Sequence, residues 1–134
     1  MIMPIASGSF DIALVPQSLS PTAADASLGR NALDKQFHGE LEARSQGEML
    51  SAMGEVQGSG VYVAIERVDG NLNGRRGSFA LVHLGTMTRG ASTLRVSVVP
   101  DSGTGELTGL HGTMSIKIEE GKHTYLFDYA IEAA

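Results

Sequence analysis

Hydrophobic and polar residues alternate along most of the chain, with the period of two that is typical of β-strands. Residues 40–50 show the pattern most clearly. Their charged and polar side chains fall on one face, and the opposite face carries the small or apolar residues Leu41, Ala43, Ser45, Gly47 and Met49. The segment is therefore predicted to be a strand with one solvated face and one face toward a core.

The same alternation predicts further strands that are separated by turn sequences. These strands cover residues 6–15, 60–68, 79–87, 94–99, 106–118 and 123–131. Residue pairs that favour tight hairpins lie between several of them, at Asp69-Gly70, Asn73-Gly74 and Arg89-Gly90. Only residues 23–33 are predicted to form a short helix, within a region that also contains Pro16 and Pro21.

Seven or eight strands that follow one another through short turns predict an all-β fold in the form of an antiparallel meander. A meander that closes on itself leaves no exposed strand edge, so we expect a small antiparallel β-barrel of about eight strands. The 134 residues have the length of one domain, and no internal repeat or linker divides them. A single barrel domain is expected over residues 1–134.

Turn positions also predict which residues face each other, because cross-strand partners in a hairpin have a constant sum of residue numbers. A two-residue turn at 73–74 places Ala64 opposite His83 and Glu66 opposite Leu81. The face that contains these residues is largely apolar and is predicted to be the barrel interior. It comprises Tyr62, Ala64, Glu66, Val68, Phe79, Leu81, His83, Met87, Leu94, Val96 and Val98.

The opposite face of the same strands is also apolar, with Val61, Val63, Ile65, Ala80, Val82 and Leu84. A strand pair that is apolar on both sides needs a second cover, which is either a helix or another subunit. Since symmetric self-association is the usual form of such a contact, a homo-oligomer is expected.

The EEGK loop at residues 119–122 aligns the last two strands in the same way. Ile116 is predicted to lie opposite Tyr125, so that Tyr125 belongs to a second apolar face. On these two strands His111 and His123 are predicted to point in opposite directions, because they fall on opposite sides of the alternation.

Charge and composition exclude several classes of partner. The net charge of −5 argues against nucleic acid, because an acidic surface repels phosphate groups. No apolar run approaches the roughly 20 residues of a membrane-spanning helix, so no membrane partner is expected. Residues 1–10 do not resemble a secretory signal, and a cytoplasmic location is expected. The absence of cysteine excludes thiol nucleophiles, disulfides and thiolate metal sites.

Two features that could indicate a cofactor are not supported by their context. In SGTGEL (102–107) the dinucleotide fingerprint fails, since Thr108 stands where the third glycine belongs and a strand is predicted to follow. This stretch is therefore predicted to be a turn between strands. Metal binding would need closely spaced ligands, and no such spacing occurs among His38, His83, His111 and His123. Neither a cofactor nor a metal is expected.

Three blocks of sequence resemble a bacterial family of domains of unknown function, DUF3224. The blocks are GRRGSFALVHLGTM (74–87), VVPDSGTGELTGLHGTMSI (98–116) and HTYLFDYAI (123–131). The resemblance covers about Phe37 to Ile131. It implies a small antiparallel β-barrel similar to the plant allene oxide cyclase barrel, in proteins that often form oligomers. It implies no catalytic residues, because the likeness to allene oxide cyclase concerns the fold and a fold does not define a reaction.

Glu66 and His83 are the candidate catalytic residues. Their predicted register makes them diagonal neighbours on an apolar face, within reach of a hydrogen bond. Burial and a charged partner are the means by which proteins tune the pKa values of acid and base groups. The alternative is that the two side chains satisfy each other in a core.

The first predicted function is the binding of a small hydrophobic molecule inside the barrel. The predicted ligand-binding residues are Tyr62, Glu66, Phe79, Leu81, His83, Met87 and Tyr125. Two alternatives stay open. One is an isomerase-like or cyclase-like enzyme that uses Glu66 or His83 for proton transfer. The other is a structural oligomeric barrel without a ligand.

Overall fold

The computed structural model describes residues 4–133, and the chain forms eight strands and one short helix. The strands are β1 (Ile5–Pro16), β2 (Gly29–Gly39), β3 (Leu41–Met53), β4 (Gly60–Leu72), β5 (Arg75–Thr88), β6 (Ala91–Val98), β7 (Leu110–Glu119) and β8 (Lys122–Ile131). The helix α1 (Pro21–Asp25) lies between β1 and β2, and a 3₁₀ turn (Gly105–Leu107) lies between β6 and β7.

The strands form a closed antiparallel barrel in chain order, in which β8 pairs with β1. This confirms the predicted all-β meander. The predicted register is also confirmed, since Ala64 pairs with His83 and Glu66 pairs with Leu81. In the last hairpin Ile116 pairs with Tyr125, as predicted. The turn chemistry of the hairpins therefore determines which side chains enter the barrel.

The helix predicted over residues 23–33 is wrong for most of its length. The helix spans Pro21–Asp25, where the Ser20 hydroxyl caps it by accepting a hydrogen bond from the Ala23 amide. Ser27 then has φ of 58°, which ends helical geometry, and β2 begins at Gly29. From Leu33 onward the chain alternates buried and less buried residues, and that period of two continues the barrel.

One half of the barrel interior is filled by large side chains. Phe79 stacks on Phe127 with ring centroids 5.8 Å apart, and Phe37 meets the edge of Tyr125 at 5.5 Å. All four rings are buried. This half, which we call the closed half, contains the ends of the strands near the 73–74 turn. It is a core of buried, mutually packed side chains.

The Tyr125 hydroxyl ties the last strand to the hairpin between β2 and β3. It accepts a hydrogen bond from the Leu41 amide and lies 3.0 Å from the carbonyl oxygens of both His38 and Leu41. One phenol thereby satisfies backbone groups at a turn that lies far away in sequence. It fixes the closed half where three strands meet.

The loop that contains SGTGEL covers the outside and end of the closed half. The Thr104 amide donates to the Ser78 carbonyl, and the Ser102 hydroxyl accepts from the Ala80 amide. Leu107 is buried in the core. A turn lies where one was predicted, and its backbone groups form hydrogen bonds with β5.

The junction between β6 and β7 is the weakest in the barrel wall. These strands share two register pairs, Val96 with Met114 and Ser97 with Thr113, whereas β1 and β8 share six. Within residues 4–133, no residue of segment 91–95 pairs in register with a residue of segment 115–119. The wall is thus open along part of one side, toward the end of the barrel opposite the closed half.

The outside of strands β3 to β5 carries a continuous field of apolar side chains, here called the outer apolar face. Register pairs join its members directly, for example Leu50 with Val63 and Val63 with Leu84. They are between 37% and 62% exposed: Leu50, Val61, Val63, Ile65, Val82 and Leu84. Ala80, which was predicted to share this face, is instead buried beneath the 99–104 segment.

Candidate functional site

The second half of the barrel interior contains a cavity of about 250 Å³. Its walls are apolar except for one lysine, two histidines and one tyrosine. The lining residues are Phe10, Ile12, Leu14, Leu33, Lys35, Met49, Tyr62, Ala64, His83, Leu94, Ile116, Ile118 and His123. Ala64, Leu33 and Ile116 are among its lining residues, and their side chains are smaller than the rings that fill the closed half.

The cavity opens outward into a wider mouth of about 570 Å³. The two spaces share five lining residues, namely Met49, Tyr62, Leu94, Ile116 and Ile118, so they are continuous. Met87 and Thr93 lie at the rim. Apolar side chains that point into the barrel are solvent-exposed here, with Leu94 at 42% and Ile118 at 65%. This end of the barrel therefore presents a hydrophobic surface that the described chain leaves uncovered.

A buried ionic network forms the floor of the cavity. The Lys35 ammonium lies 2.7 Å from Oε2 of Glu66, and the His83 Nε2 atom lies 2.6 Å from the same oxygen. The Ser45 hydroxyl donates to Oε1 of Glu66 at 2.6 Å. All four residues are buried, and Glu66 is completely inaccessible. Both carboxylate oxygens are thus hydrogen-bonded, as a buried charge requires.

Opposing effects act on the pKa of the Glu66 carboxyl. Burial alone would raise it, but the hydrogen bond from His83 and the positive charge of Lys35 outweigh that effect and lower the pKa to about 2. Glu66 is therefore ionised at neutral pH. An ionised carboxylate only accepts hydrogen bonds, so the proton between Glu66 and His83 belongs to His83 Nε2.

The second ring nitrogen of His83 faces the cavity. Nδ1 has no hydrogen-bond partner among residues 4–133. In that range every fully enclosed side-chain nitrogen or oxygen does have a partner, so Nδ1 is not fully enclosed. Since His83 lines the cavity, Nδ1 is accessible from it. With the proton held on Nε2, Nδ1 is a hydrogen-bond acceptor or a base.

Two aromatic rings lie close to the Lys35 ammonium. Its nitrogen lies 4.8 Å from the centroid of the Phe10 ring and 5.6 Å from that of Phe37. These cation–π contacts add to the stabilisation of the charge that Glu66 provides. On the other side of Phe10 the ring of His123 packs at a centroid distance of 5.0 Å. The lysine charge is thus compensated within the protein.

Tyr62 forms the part of the wall between cavity and mouth, where its ring lies over the backbone of Gly85. A Cβ atom added at Gly85 would come within 2.1 Å of a Tyr62 ring carbon, so the ring position depends on glycine there. Burial, and to a smaller extent the charge of Glu66, raises the pKa of the Tyr62 hydroxyl. The phenol is therefore neutral and can serve as a hydrogen-bond donor at neutral pH.

The structure separates the predicted site residues into two groups. Tyr62 and His83 line the cavity, Met87 lies at the mouth, and Glu66 supports the floor from behind. The predicted contact between Glu66 and His83 is present. The other three predicted ligand-binding residues, Phe79, Leu81 and Tyr125, are buried in the closed half and do not line either space.

Sequence reasoning missed Lys35, Phe10 and His123. Lys35 is the register partner of Ser45. Its ammonium is the only positively charged group on the floor within residues 4–133. A signal for it was present: Leu33, Lys35 and Phe37 alternate along the sequence, which places the lysine on the inward face. Within the described range, no group of three or more His, Asp or Glu side chains is arranged to hold a metal ion. No helix there is long and apolar enough to cross a membrane.

Comparisons with known proteins agree with this architecture. A family model described as "Protein of unknown function (DUF3224)" matches residues 6–129. A crystal structure of a protein of unknown function from the DUF3224 family of Shewanella oneidensis MR-1 is similar, with 57% sequence identity and a TM-score of 0.91. The alignment covers 98% of this chain and 99% of that one. No curated protein matches the chain.

Proposed function

The chain belongs to the DUF3224 family, whose description states no activity, and we propose a function from the site itself. The barrel binds a small, largely apolar molecule in its open half. The observation that carries this proposal is the set of inward-facing apolar side chains that remain exposed at the mouth, including Leu94 and Ile118. Exposed hydrophobic surface of this kind is characteristic of a binding site.

The dimensions of the site support a small ligand. The inner cavity of about 250 Å³ lies below the roughly 300–1,000 Å³ of pockets for drug-sized molecules. The wider mouth would accommodate the remainder of a longer molecule. A few polar atoms among apolar walls, here His83 Nδ1 and the Tyr62 hydroxyl, are what orients a ligand in such a pocket.

The partly unpaired junction between β6 and β7 provides a route into the cavity. Leu94 and Ile116 stand on either side of it and belong to both the cavity and the mouth. Separation of these two side chains would break no register pair between the strands, because the paired residues lie further toward the closed half. A ligand can therefore enter from the side as well as along the barrel axis.

A direct test uses N-phenyl-1-naphthylamine, a neutral apolar dye whose fluorescence increases when it leaves water. Saturable binding to the wild-type protein is expected. Leu94→Trp fills the mouth and should weaken dye binding by at least tenfold. Leu126→Trp is the matched control, since Leu126 is exposed on the outside of β8. If the wild-type protein does not bind the dye, or if both variants bind it equally, the proposal is wrong.

A second candidate function is proton-transfer catalysis of the isomerase or cyclase type. It is favoured by one observation, the hydrogen bond that orients His83 through Glu66 and leaves Nδ1 accessible. A carboxylate that fixes the tautomer of a histidine is a recurring arrangement in general base catalysis. Exchange of the α-protons of a bound ketone into D₂O would reveal it, with His83→Gln removing the exchange while dye binding is retained.

We also propose that the outer apolar face is covered by a second copy of the chain. Six exposed apolar side chains form one continuous field, and contiguous exposed apolar surface marks interaction sites on soluble proteins. The same field on a second copy is its simplest complement, because a two-fold contact brings identical patches together. Native mass spectrometry should show a dimer or higher oligomer, and Ile65→Lys should dissociate it. Leu126→Lys, on a different wall, should not. A monomeric wild-type protein would contradict the proposal.

A further inference from the structure

We infer that the ligand carries a hydroxyl group, which donates a hydrogen bond to Nδ1 of His83 at the floor of the cavity. This inference rests on the proposed binding function and specifies its ligand class: small, neutral, apolar molecules with one hydroxyl, such as phenols or alcohols. The observation behind it is the unpartnered Nδ1 atom of His83 at the inner end of a space whose other lining residues are mostly apolar.

The acceptor character of Nδ1 follows from charge balance on the floor. Glu66 contributes one negative charge and Lys35 one positive charge, and both nitrogens that contact the carboxylate meet the same oxygen. A neutral His83 leaves this buried cluster uncharged. A doubly protonated ring would add a positive charge with no compensating anion next to a buried ammonium, which is costly in an apolar interior. His83 therefore presents a bare nitrogen to the cavity.

The same balance argues against an anionic ligand. Lys35 is the only ammonium at the floor within the described residues, and it is already bound to Glu66 and flanked by the rings of Phe10 and Phe37. A ligand carboxylate would lose its hydration without finding a free cation, and the negative charge of Glu66 lies directly behind the floor. A ligand hydroxyl loses less hydration and regains a hydrogen bond at His83.

The position of His83 also determines the orientation of the ligand. His83 lines the inner cavity but is absent from the mouth, whereas Leu94 and Ile118 line both. The hydroxyl therefore enters first, and the apolar body extends outward between β6 and β7. A ligand in the opposite orientation would leave its hydroxyl in water at the mouth and gain nothing from His83.

The test compares three probes of one shape: naphthalene, 2-naphthol and 2-naphthoate. Their affinities for the wild-type protein are measured by calorimetry at neutral pH. We expect 2-naphthol to bind about tenfold more tightly than naphthalene, the difference that one hydrogen bond in a dry site supports. We expect 2-naphthoate to bind most weakly of the three.

His83→Phe keeps an aromatic ring but removes the acceptor, so the ratio of the 2-naphthol affinity to the naphthalene affinity should fall to about one. His111→Phe is the matched control on the exposed outer side of β7 and should change neither affinity. Equal affinities for naphthalene and 2-naphthol in the wild-type protein would overturn the inference while leaving the binding function in place. Failure of all three probes to bind would overturn both.

A measurement on the wild-type protein alone keeps the inference testable if His83→Phe does not fold. The imidazole ¹⁵N spectrum should show His83 unprotonated at Nδ1, and addition of 2-naphthol should shift that resonance in the direction of an accepted hydrogen bond. Naphthalene should leave it in place. A proton found on Nδ1 in the free protein would refute the inference, since no acceptor would then face the cavity.

Discussion

Glu66→Gln tests the floor of the cavity most directly, because it removes a charge without changing the shape of the side chain. In the folded protein the carboxyl has a pKa of about 2 in place of its ordinary 4.5. At about 1.4 kcal/mol per tenfold change in equilibrium constant, this difference corresponds to about 3 kcal/mol of stability at neutral pH. The substitution also leaves Lys35 as a buried ammonium without a partner anion, for which losses of about 3–5 kcal/mol are typical.

The pH dependence of this loss has a definite sign. Since folding lowers the pKa of Glu66, its contribution is fully present above about pH 4.5 and disappears as the pH falls toward 2. Only as the pH falls below about 2 does the wild-type carboxyl become mostly protonated and resemble the glutamine of the variant. The difference in stability between the two proteins should therefore shrink steadily as the pH decreases from 5.

The assay is urea unfolding of both proteins at pH 7, 5 and 3, followed by circular dichroism. Glu48→Gln is the matched control, because Glu48 forms its ion pair with Arg30 on the surface and exposed pairs contribute at most about 1 kcal/mol. A loss below about 1 kcal/mol for Glu66→Gln at pH 7, or an equal loss at pH 3, would refute the account of the buried network.

Three further substitutions test other parts of the structure. Tyr125→Phe removes the acceptor of a buried backbone amide and should lower the free energy of unfolding by about 1–3 kcal/mol in urea titrations; no change would mean that the hydroxyl is dispensable. Gly85→Val should displace the Tyr62 ring into the mouth and weaken dye binding several-fold while the circular dichroism spectrum stays unchanged. Phe79→Ala should cost about 3–5 kcal/mol, whereas Met87→Ala at the open mouth should cost under about 0.5 kcal/mol. Equal costs would contradict the division into a closed and an open half.

Hairpin turns made much of the barrel predictable from sequence. Once residues 73–74 and 89–90 are recognised as two-residue turns, the alignment of β4, β5 and β6 follows by counting, and so does the contact between Glu66 and His83. These relations are local along the chain. They need no knowledge of how the barrel closes.

The division of the interior into two halves could not be predicted in this way. It depends on the pairing of β8 with β1 and of β6 with β7, where no two-residue turn supplies the register. Tyr125 was predicted to line the same cavity as Tyr62, and the closure of the barrel places it in the other half. Phe79 was predicted there as well, although the β4–β5 register already separates the two, since Phe79 pairs with Val68 and Tyr62 with Gly85. Lys35 was missed because no strand was predicted over residues 16–35, and because its contact with Glu66 crosses from β2 to β4.

The short pairing between β6 and β7 has a consequence for ligand selectivity. Elsewhere the circumference of the cylinder is set by ladders of backbone hydrogen bonds, which stretch very little. Beside Leu94 and Ile116 no register pair fixes the circumference of the barrel, so ligands of different width can enter at small energetic cost. Discrimination by width should thus be poor, and selectivity should depend on the few polar atoms of the cavity, such as His83 Nδ1.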